Sequence, residues 1–350
     1  MATRTPVRLK DIAASLGVSV VTVSKVLNNH PDIGPVTRKR VLACVRKMGY
    51  RPNLTARGLV TGRSYIVGLV VPDLIHAFYS ELAKGLSSVL RGKGYGLVIS
   101  SSEENAELEQ QEIEQMLARR VDVLLLASCQ PRADKLSVIK ERGTPLVLVD
   151  RRFSGEQHNF VGIDDVRAGE LATQHLVDLG RRRIAHIGGP NVSPSLDRAQ
   201  GYRNVLARNG IKPPEEYTTI LTHGDESGHI TSYHAMQKLL ALPKRPDAVF
   251  CYNDPSAIGA IAATLDAGLR VPEDVAFVGC GNIPYSAYLR VPLTSVDQSA
   301  FLMGEEAAKL AMTMVAQRKA PEPRSLIMEP KLVVRASTGS VYSKSRIGVR

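Results

Sequence analysis

Tryptophan is absent from the 350 residues, and Phe, Tyr and Trp together make up only 5%. Any stacking against a ligand ring therefore falls to Phe78, Tyr79 or Tyr202. The four cysteines (Cys44, Cys129, Cys251, Cys280) lie far apart with no CxxC pair. That excludes a disulfide framework and a zinc ribbon, and reads as buried free thiols in a reducing cytoplasm. No apolar run approaches the ~20 residues of a membrane helix, and the N-terminus carries no signal-peptide core, so a cytoplasmic chain with no membrane partner is expected. Signatures of nucleotide and hydrolase chemistry are missing too. No GxGxxG opens a βα unit, and there is no GxxxxGK[ST], GxSxG or HExxH. His223, His229 and His234 form only a loose group, the last two sharing no helical face, so they read as surface residues. Neither a catalytic residue, a metal nor a cofactor is expected.

Acid is the scarcest component of the first 63 residues. They hold twelve Lys or Arg against Asp11 and Asp32 alone, which is +10 of the chain's +11; the remainder is nearly neutral. A basic head on a neutral body suits a polyanion binder attached to something else. Within the head, Leu9, Ile12, Ala13 and Leu16 share one helical face, and Gly17 permits a sharp turn. Ser19 suits the N-cap of a second helix, Val20 to Asn28, with Val23, Val26 and Leu27 inward. A third helix starts at Gly34-Pro35, runs through Val41, Leu42, Val45 and Met48, and stops at Gly49. This is a helix-turn-helix pattern whose second helix is the candidate reader. Val20 and Val21 suit thymine methyls and Lys25 suits guanine O6/N7, while Ser19, Thr22 and Asn28 suit phosphate oxygens. A basic bundle that binds a protein is the alternative.

The segment LKDIAASLGVSVVTVSKVLNNHPDIGPVTRKRVLACVRKMGYRPNLTARGL resembles the head of the lactose/galactose-repressor family. Turn, recognition helix, GYRPN and ARxL occur together at that family's spacing, and the likeness continues through nearly the whole chain. The resemblance puts Val20, Val21 and Lys25 at base-reading positions. The family usually has Arg at the last of these, and a single ammonium reads guanine less strictly than a guanidinium fork. Residues Pro52 to Leu59 alone read as a flexible linker or a weak helix capped by Asn53, too short to persist in water. By resemblance they form a hinge helix that folds on the operator. Leu59 is then its minor-groove wedge, and Arg57 lies beside it against phosphate or groove floor.

After Ser64 the pattern becomes apolar runs of strand length alternating with amphipathic segments. Tyr65–Val71, Tyr95–Ser100, Val121–Ala127 and Pro145–Asp150 form one series. Arg183–Gly189, Asp247–Asn253 and Asp274–Gly279 form a second. The fold class is α/β, with an all-α head and two doubly wound parallel-sheet lobes. The resemblance, which extends to periplasmic sugar-binding proteins, implies a helix-turn-helix domain over 1–51 and a hinge over 52–63. An effector-binding and dimerisation body follows over 64–340, with a basic tail over 341–350. Lobe 1 takes 64–163 and 293–326, lobe 2 takes 164–292 and 327–340, and Ser325–Arg335 makes a final strand pair.

Ligands of open α/β sheets bind beyond the carboxyl ends of strands. Those ends carry Asp73, Asp150, Asn253, Asp254 and the loop Gly279-Cys280-Gly281-Asn282. Arg198, expected in a loop just before a helix, suits a carboxylate, a phosphate or vicinal hydroxyls. Any single Asp after a strand also serves as a helix cap. The resemblance assigns Asp150, Arg198, Asn253 and Gln298 to effector contact, with Asp73 and Phe78 on the first lobe's loop. Gly281 stands where sugar-responsive members commonly have Asp, so one acceptor of sugar hydroxyls is missing. The polar tail from Ser337 lacks leucine heptads, so the family's tetramer zipper is absent and a homodimer is expected. Its expected partners are a palindromic double-stranded operator and a small effector. Two other readings stay open on the residues, a DNA-tethered enzyme of sugar metabolism and a non-specific architectural protein.

Overall fold

The computed structural model describes residues 7–27, 30–50, 58, 61–155, 157–221, 228–317 and 322–339. The chain divides into two compact units, 1–64 and 65–350. In the first, α1 (Leu9–Leu16), α2 (Val20–Leu27) and α3 (Pro35–Met48) enclose a small core of Ile12, Ala13, Val23, Val26 and Val41. Gly17 ends α1 at φ 65, the left-handed geometry expected of it. Leu42 on α3 is exposed.

The second unit holds two six-stranded sheets. Lobe 1 has β1 (Ile66–Val71), β2 (Gly96–Ser101), β3 (Val123–Leu126), β4 (Leu146–Val149) and β5 (Asn159–Ile163). Around them lie α4 (Ala77–Gly92), α5 (Ala106–Ala118) and α6 (Ser137–Glu141). Lobe 2 follows with α7 (Asp165–Asp178), β6 (Ile184–Gly188), α8 (Ser193–Arg208) and β7 (Thr218–Ile220). It continues with α9 (His229–Leu240), β8 (Ala248–Cys251), α10 (Asp254–Asp266), β9 (Ala276–Cys280) and β10 (Thr294–Asp297). The chain returns to lobe 1 through α11 (Ala300–Ala316), which packs on α4, and β11 (Ser325–Met328), and ends in lobe 2 with β12 (Lys331–Val333).

Strand order is β11-β5-β4-β3-β1-β2 in one sheet and β12-β10-β9-β8-β6-β7 in the other. Every pairing is parallel except β10 with β12. Strands such as β3, buried along their whole length, explain the unbroken apolar runs: helices cover both faces. The order reverses beside β1 and beside β6, which places a binding crevice at the carboxyl ends of those strands.

Four expectations change. The crossing to lobe 1 falls after Asp297 rather than at 293, because β10 pairs with β9. The return falls after Met328 rather than 326. Ser325–Arg335 is no strand pair, since β11 joins β5 and β12 joins β10. Ser337 and Thr338 are not tail: Ser337 Oγ accepts from Thr294 N–H at 2.8 Å and donates to the Phe277 carbonyl at 2.7 Å. Cys251 and Cys280 are buried as expected, but Cys44 and Cys129 only partly so, and all four are free thiols. No described helix is long and apolar enough to cross a membrane.

Candidate functional site

On the head, Ser19 caps α2 by accepting the Thr22 N–H at 3.0 Å, and its hydroxyl lies 2.9 Å from that of Thr22. The cap fixes where the helix begins and turns Val20 and Val21 outward, 44% and 62% exposed. Two valines on an open helix face gain nothing from the head's own core, which is the arrangement an apolar base contact uses. Lys25 projects from the same helix, and its Nζ pairs with Asp32 Oδ2 at 2.5 Å. One of the head's two acids therefore holds the candidate guanine reader in an ion pair. Asn28, Asn53, Arg57 and Leu59 lie outside the described residues, as does the 341–350 tail.

In the second unit, one cavity is lined from both lobes. Lobe 1 contributes Asp73, His76, Phe78, Tyr79, Asp150 and Arg151; lobe 2 contributes Arg198, Tyr252 and Asn253, and Gln298 stands at the crossing. The space open to water centres is about 90 Å³, enough for several waters or a compact polar molecule. Asp150 follows β4 in the left-handed region, at φ 63, and its carboxylate accepts from Tyr79 Oη at 3.0 Å. Burial pushes its pKa upward, against the pull of Arg198 and Arg151. Asp73 Oδ1 accepts the Ile75 N–H at 2.7 Å, closing the turn before α4.

Arg198 is held on three sides. Its Nε and Nη2 each lie 2.8 Å from Asp165 Oδ1, its Nη1 donates to the Tyr252 carbonyl at 2.9 Å, and its guanidinium lies 5.3 Å from the Tyr252 ring centroid. It sits inside α8, not in a loop before it. Close packing of α7 on α8 makes the pair possible: a Cβ on Gly169 would stand 2.1 Å from the Arg198 carbonyl oxygen. Arg151, 4% exposed, pairs with both carboxylate oxygens of Glu104. Direct contacts bridge the lobes as well. Arg152 N–H donates to Ser193 Oγ at 2.9 Å, and Arg152 Nη2 pairs with Asp197 at 2.8 Å.

His76 caps α4 by accepting the Phe78 N–H on Nδ1. Burial, reinforced by the charges of Arg151 and Arg198, pulls its pKa from 6.5 to about 4. Burial does the same for His186, whose ring stacks between Tyr202 and Phe250. Both rings are expected to stay neutral from pH 8 down to about 5 in a residue-resolved NMR titration. Protonation of either near 6.5 contradicts this burial.

Residues 8–53 match the model for bacterial regulatory proteins of the lacI family, and 173–338 match the periplasmic binding protein-like domain. The transcriptional regulator GalR of Escherichia coli is 34% identical over 334 residues, covering 95% of this chain and 96% of its own. This chain belongs to the lacI family. Among solved structures, a CelR–cellobiose complex matches with 32% identity and TM-score 0.71, covering 95% of this chain and 99% of its own. The lac repressor dimer bound to operator and an anti-inducer matches at 26% and 0.82, with the same two coverages. As a family member the protein is a DNA-binding transcription regulator, and these relatives are regulators rather than enzymes.

Within that family frame, Asp73, Phe78, Asp150, Arg198, Asn253 and Gln298 all line the cavity. Asp254 does not. Its Oδ1 accepts from Ser295 Oγ at 2.5 Å, and its Oδ2 accepts from Ser286 Oγ at 2.8 Å and Ile283 N–H at 2.9 Å. Three hydrogen bonds tie that carboxylate to the segments after β9 and in β10, so it is a scaffold residue. Tyr202 is likewise inward, with its hydroxyl on the Ile184 carbonyl, and Tyr252 is the aromatic that lines the cavity in its place. His76, Glu104 and Tyr252 were missed. His76 and Tyr252 each occupy a strand-to-helix junction, the signal that could have found them. Among the described residues, no group of three His, Cys, Asp or Glu is placed to hold a metal ion.

Proposed function

We propose that this regulator binds a roughly palindromic operator as a homodimer, most simply as a repressor, and that a small effector in the lobe-to-lobe cavity sets its affinity. The observation that carries the reading is the convergence of the polar side chains of Asp150, Arg198, Asn253 and Gln298 from separate elements on one small cavity. It is supported by the operator-bound lac repressor dimer and the cellobiose complex of CelR among the structural neighbours. In this reading Val20, Val21 and Lys25 read bases, Ser19, Thr22 and Asn28 hold phosphate, and Asn53, Arg57 and Leu59 form the hinge. The protein is nucleoid-associated when bound. An effector acts only through unequal affinity for two dimer states, whether it releases the operator or strengthens the grip on it.

Selection of bound duplexes from random DNA tests this directly. A twofold-symmetric consensus is the expected result; sequence-independent capture would favour an architectural protein, and turnover of a sugar a tethered enzyme. On the selected operator, Lys25→Ala is expected to relax one position per half-site by ~1–3 kcal/mol. Unchanged selectivity would remove Lys25 from base reading. Loss spread evenly over all sequences would make it a phosphate contact.

A further inference from the structure

Across the cavity, His76 Nε2 of lobe 1 lies 3.4 Å from Asn253 Nδ2 of lobe 2. Neither atom is free to change its role. His76 Nδ1 accepts the Phe78 N–H at 3.3 Å and so carries no proton, which leaves the single proton of the neutral ring on Nε2. Asn253 Oδ1 accepts the Ser256 N–H at 2.8 Å and caps α10, which turns the amide nitrogen toward His76. Turning the amide over would bring two N–H groups together at that cap. Two donors therefore face each other, one from each lobe, and cannot bond to one another. The imidazole is further fixed by the rings of Phe78 and Tyr79, with centroids 6.4 and 5.8 Å away.

We propose that His76 and Asn253 are a specificity-determining pair that clamps one oxygen of the effector between the lobes, and that this oxygen belongs to a carboxylate or phosphoryl group. The inference rests on the reading of the cavity as the effector site and adds the ligand's class. An oxygen in this position receives two N–H bonds. A hydroxyl there would have to send its own hydrogen outside the clamp, because the clamp's acceptor atoms, His76 Nδ1 and Asn253 Oδ1, are already used by Phe78 and Ser256. A carboxylate or phosphoryl oxygen has no hydrogen to place and takes both bonds at charge-assisted strength. Asp150 and Gln298 line the same cavity and suit hydroxyls on the rest of the molecule. The effector class proposed is an acidic sugar: an aldonic or uronic acid, or a sugar phosphate.

Titration calorimetry on the full chain distinguishes the cases, with gluconate, glucuronate and glucose 6-phosphate set against glucose and sorbitol. At least one acid is expected to bind about tenfold or more tightly than its neutral counterpart, the step that one charge-assisted bond supplies. Gluconate or glucuronate ahead of glucose 6-phosphate assigns a carboxylate, and the reverse order a phosphoryl group. His76→Asn keeps a favoured N-cap on α4 but withdraws the donor, and is expected to lower the acid preference about tenfold. His76→Gln, with an amide donor at longer reach, is expected to restore part of it. Neutral sugars binding as tightly as the acids, an acid preference unchanged in His76→Asn, or no binding by any of the five probes overturns the proposal. Operator selection, run both without ligand and with each probe, is a separate readout: its success in either condition beside a failed acid preference removes the clamp alone, and its failure in both removes the operator-binding reading as well.

Discussion

Arg198→Ala is expected to lower stability by about 3–5 kcal/mol and to abolish the response to effector. Arg198 is 3% exposed and Asp165 5%, and the guanidinium is the only cation bonded to that carboxylate among the described residues. Removing one partner of a buried pair leaves the other charge stranded, and that loss exceeds what the pair contributes over an apolar substitute. Burial raises the pKa of Asp165 toward neutrality, to about 7, so in the variant the acid escapes part of the cost by taking a proton. The double variant Arg198→Met with Asp165→Asn is therefore expected to regain most of the stability in urea unfolding, but no effector binding in calorimetry. That outcome separates the scaffold role from recognition. Full stability in the single variant would mean that the pair is solvated and that burial does not govern it.

Gly169→Val carries the second largest expected effect and leaves every charge in place. The new side chain would begin 2.1 Å from the Arg198 carbonyl, an approach that no side-chain rotation relieves because the obstacle is backbone. Helices α7 and α8 must separate, at about 1–3 kcal/mol. Since Asp165 and Arg198 ride on those two helices, effector affinity is expected to fall as well. Gly92→Ala is the matched control. A Cβ there meets nothing within 4 Å, so the change is expected to be neutral or to stabilise by about 0.4–1 kcal/mol. Equal melting temperatures for the two variants would refute the packing argument.

The head was legible nearly residue by residue because its signals are local. Gly17, Ser19, Pro35 and Gly49 punctuate three helices whose apolar spacing says which face turns in. The exposed side carried no such signal, and nothing in the spacing of Lys25 and Asp32 announced their ion pair. In the body, strands buried on both faces stood out as unbroken apolar runs. β5 and β7 did not, since one opens on Asn159 and contains Gly162, and the other is the three-residue edge Thr218–Ile220. The partners of β11 and β12 were illegible in principle: each pairs with a strand of a different lobe, and local pattern holds no record of long-range register. Strand ends located Asp73, Asp150 and Asn253, Arg198 was picked out but expected in a loop rather than inside α8, and only resemblance picked out Gln298. The same rule misplaced Asp254, because a carboxylate beside a crevice and one holding its wall share an address. His76 escaped because imidazole is an uncommon N-cap and its use depends on which nitrogen holds the proton.

The interleaving of the lobes bears on the order of events during synthesis. Lobe 1 lacks an edge strand until Met328 has been made, and lobe 2 awaits Val333, whereas the head closes its core from residues 12 to 41. Domains fold as units from the leading end of a growing chain. A nascent polypeptide therefore emerges from the ribosome with its reader finished and the apparatus that governs it still unbuilt, and truncated products keep a cationic module that no metabolite can instruct.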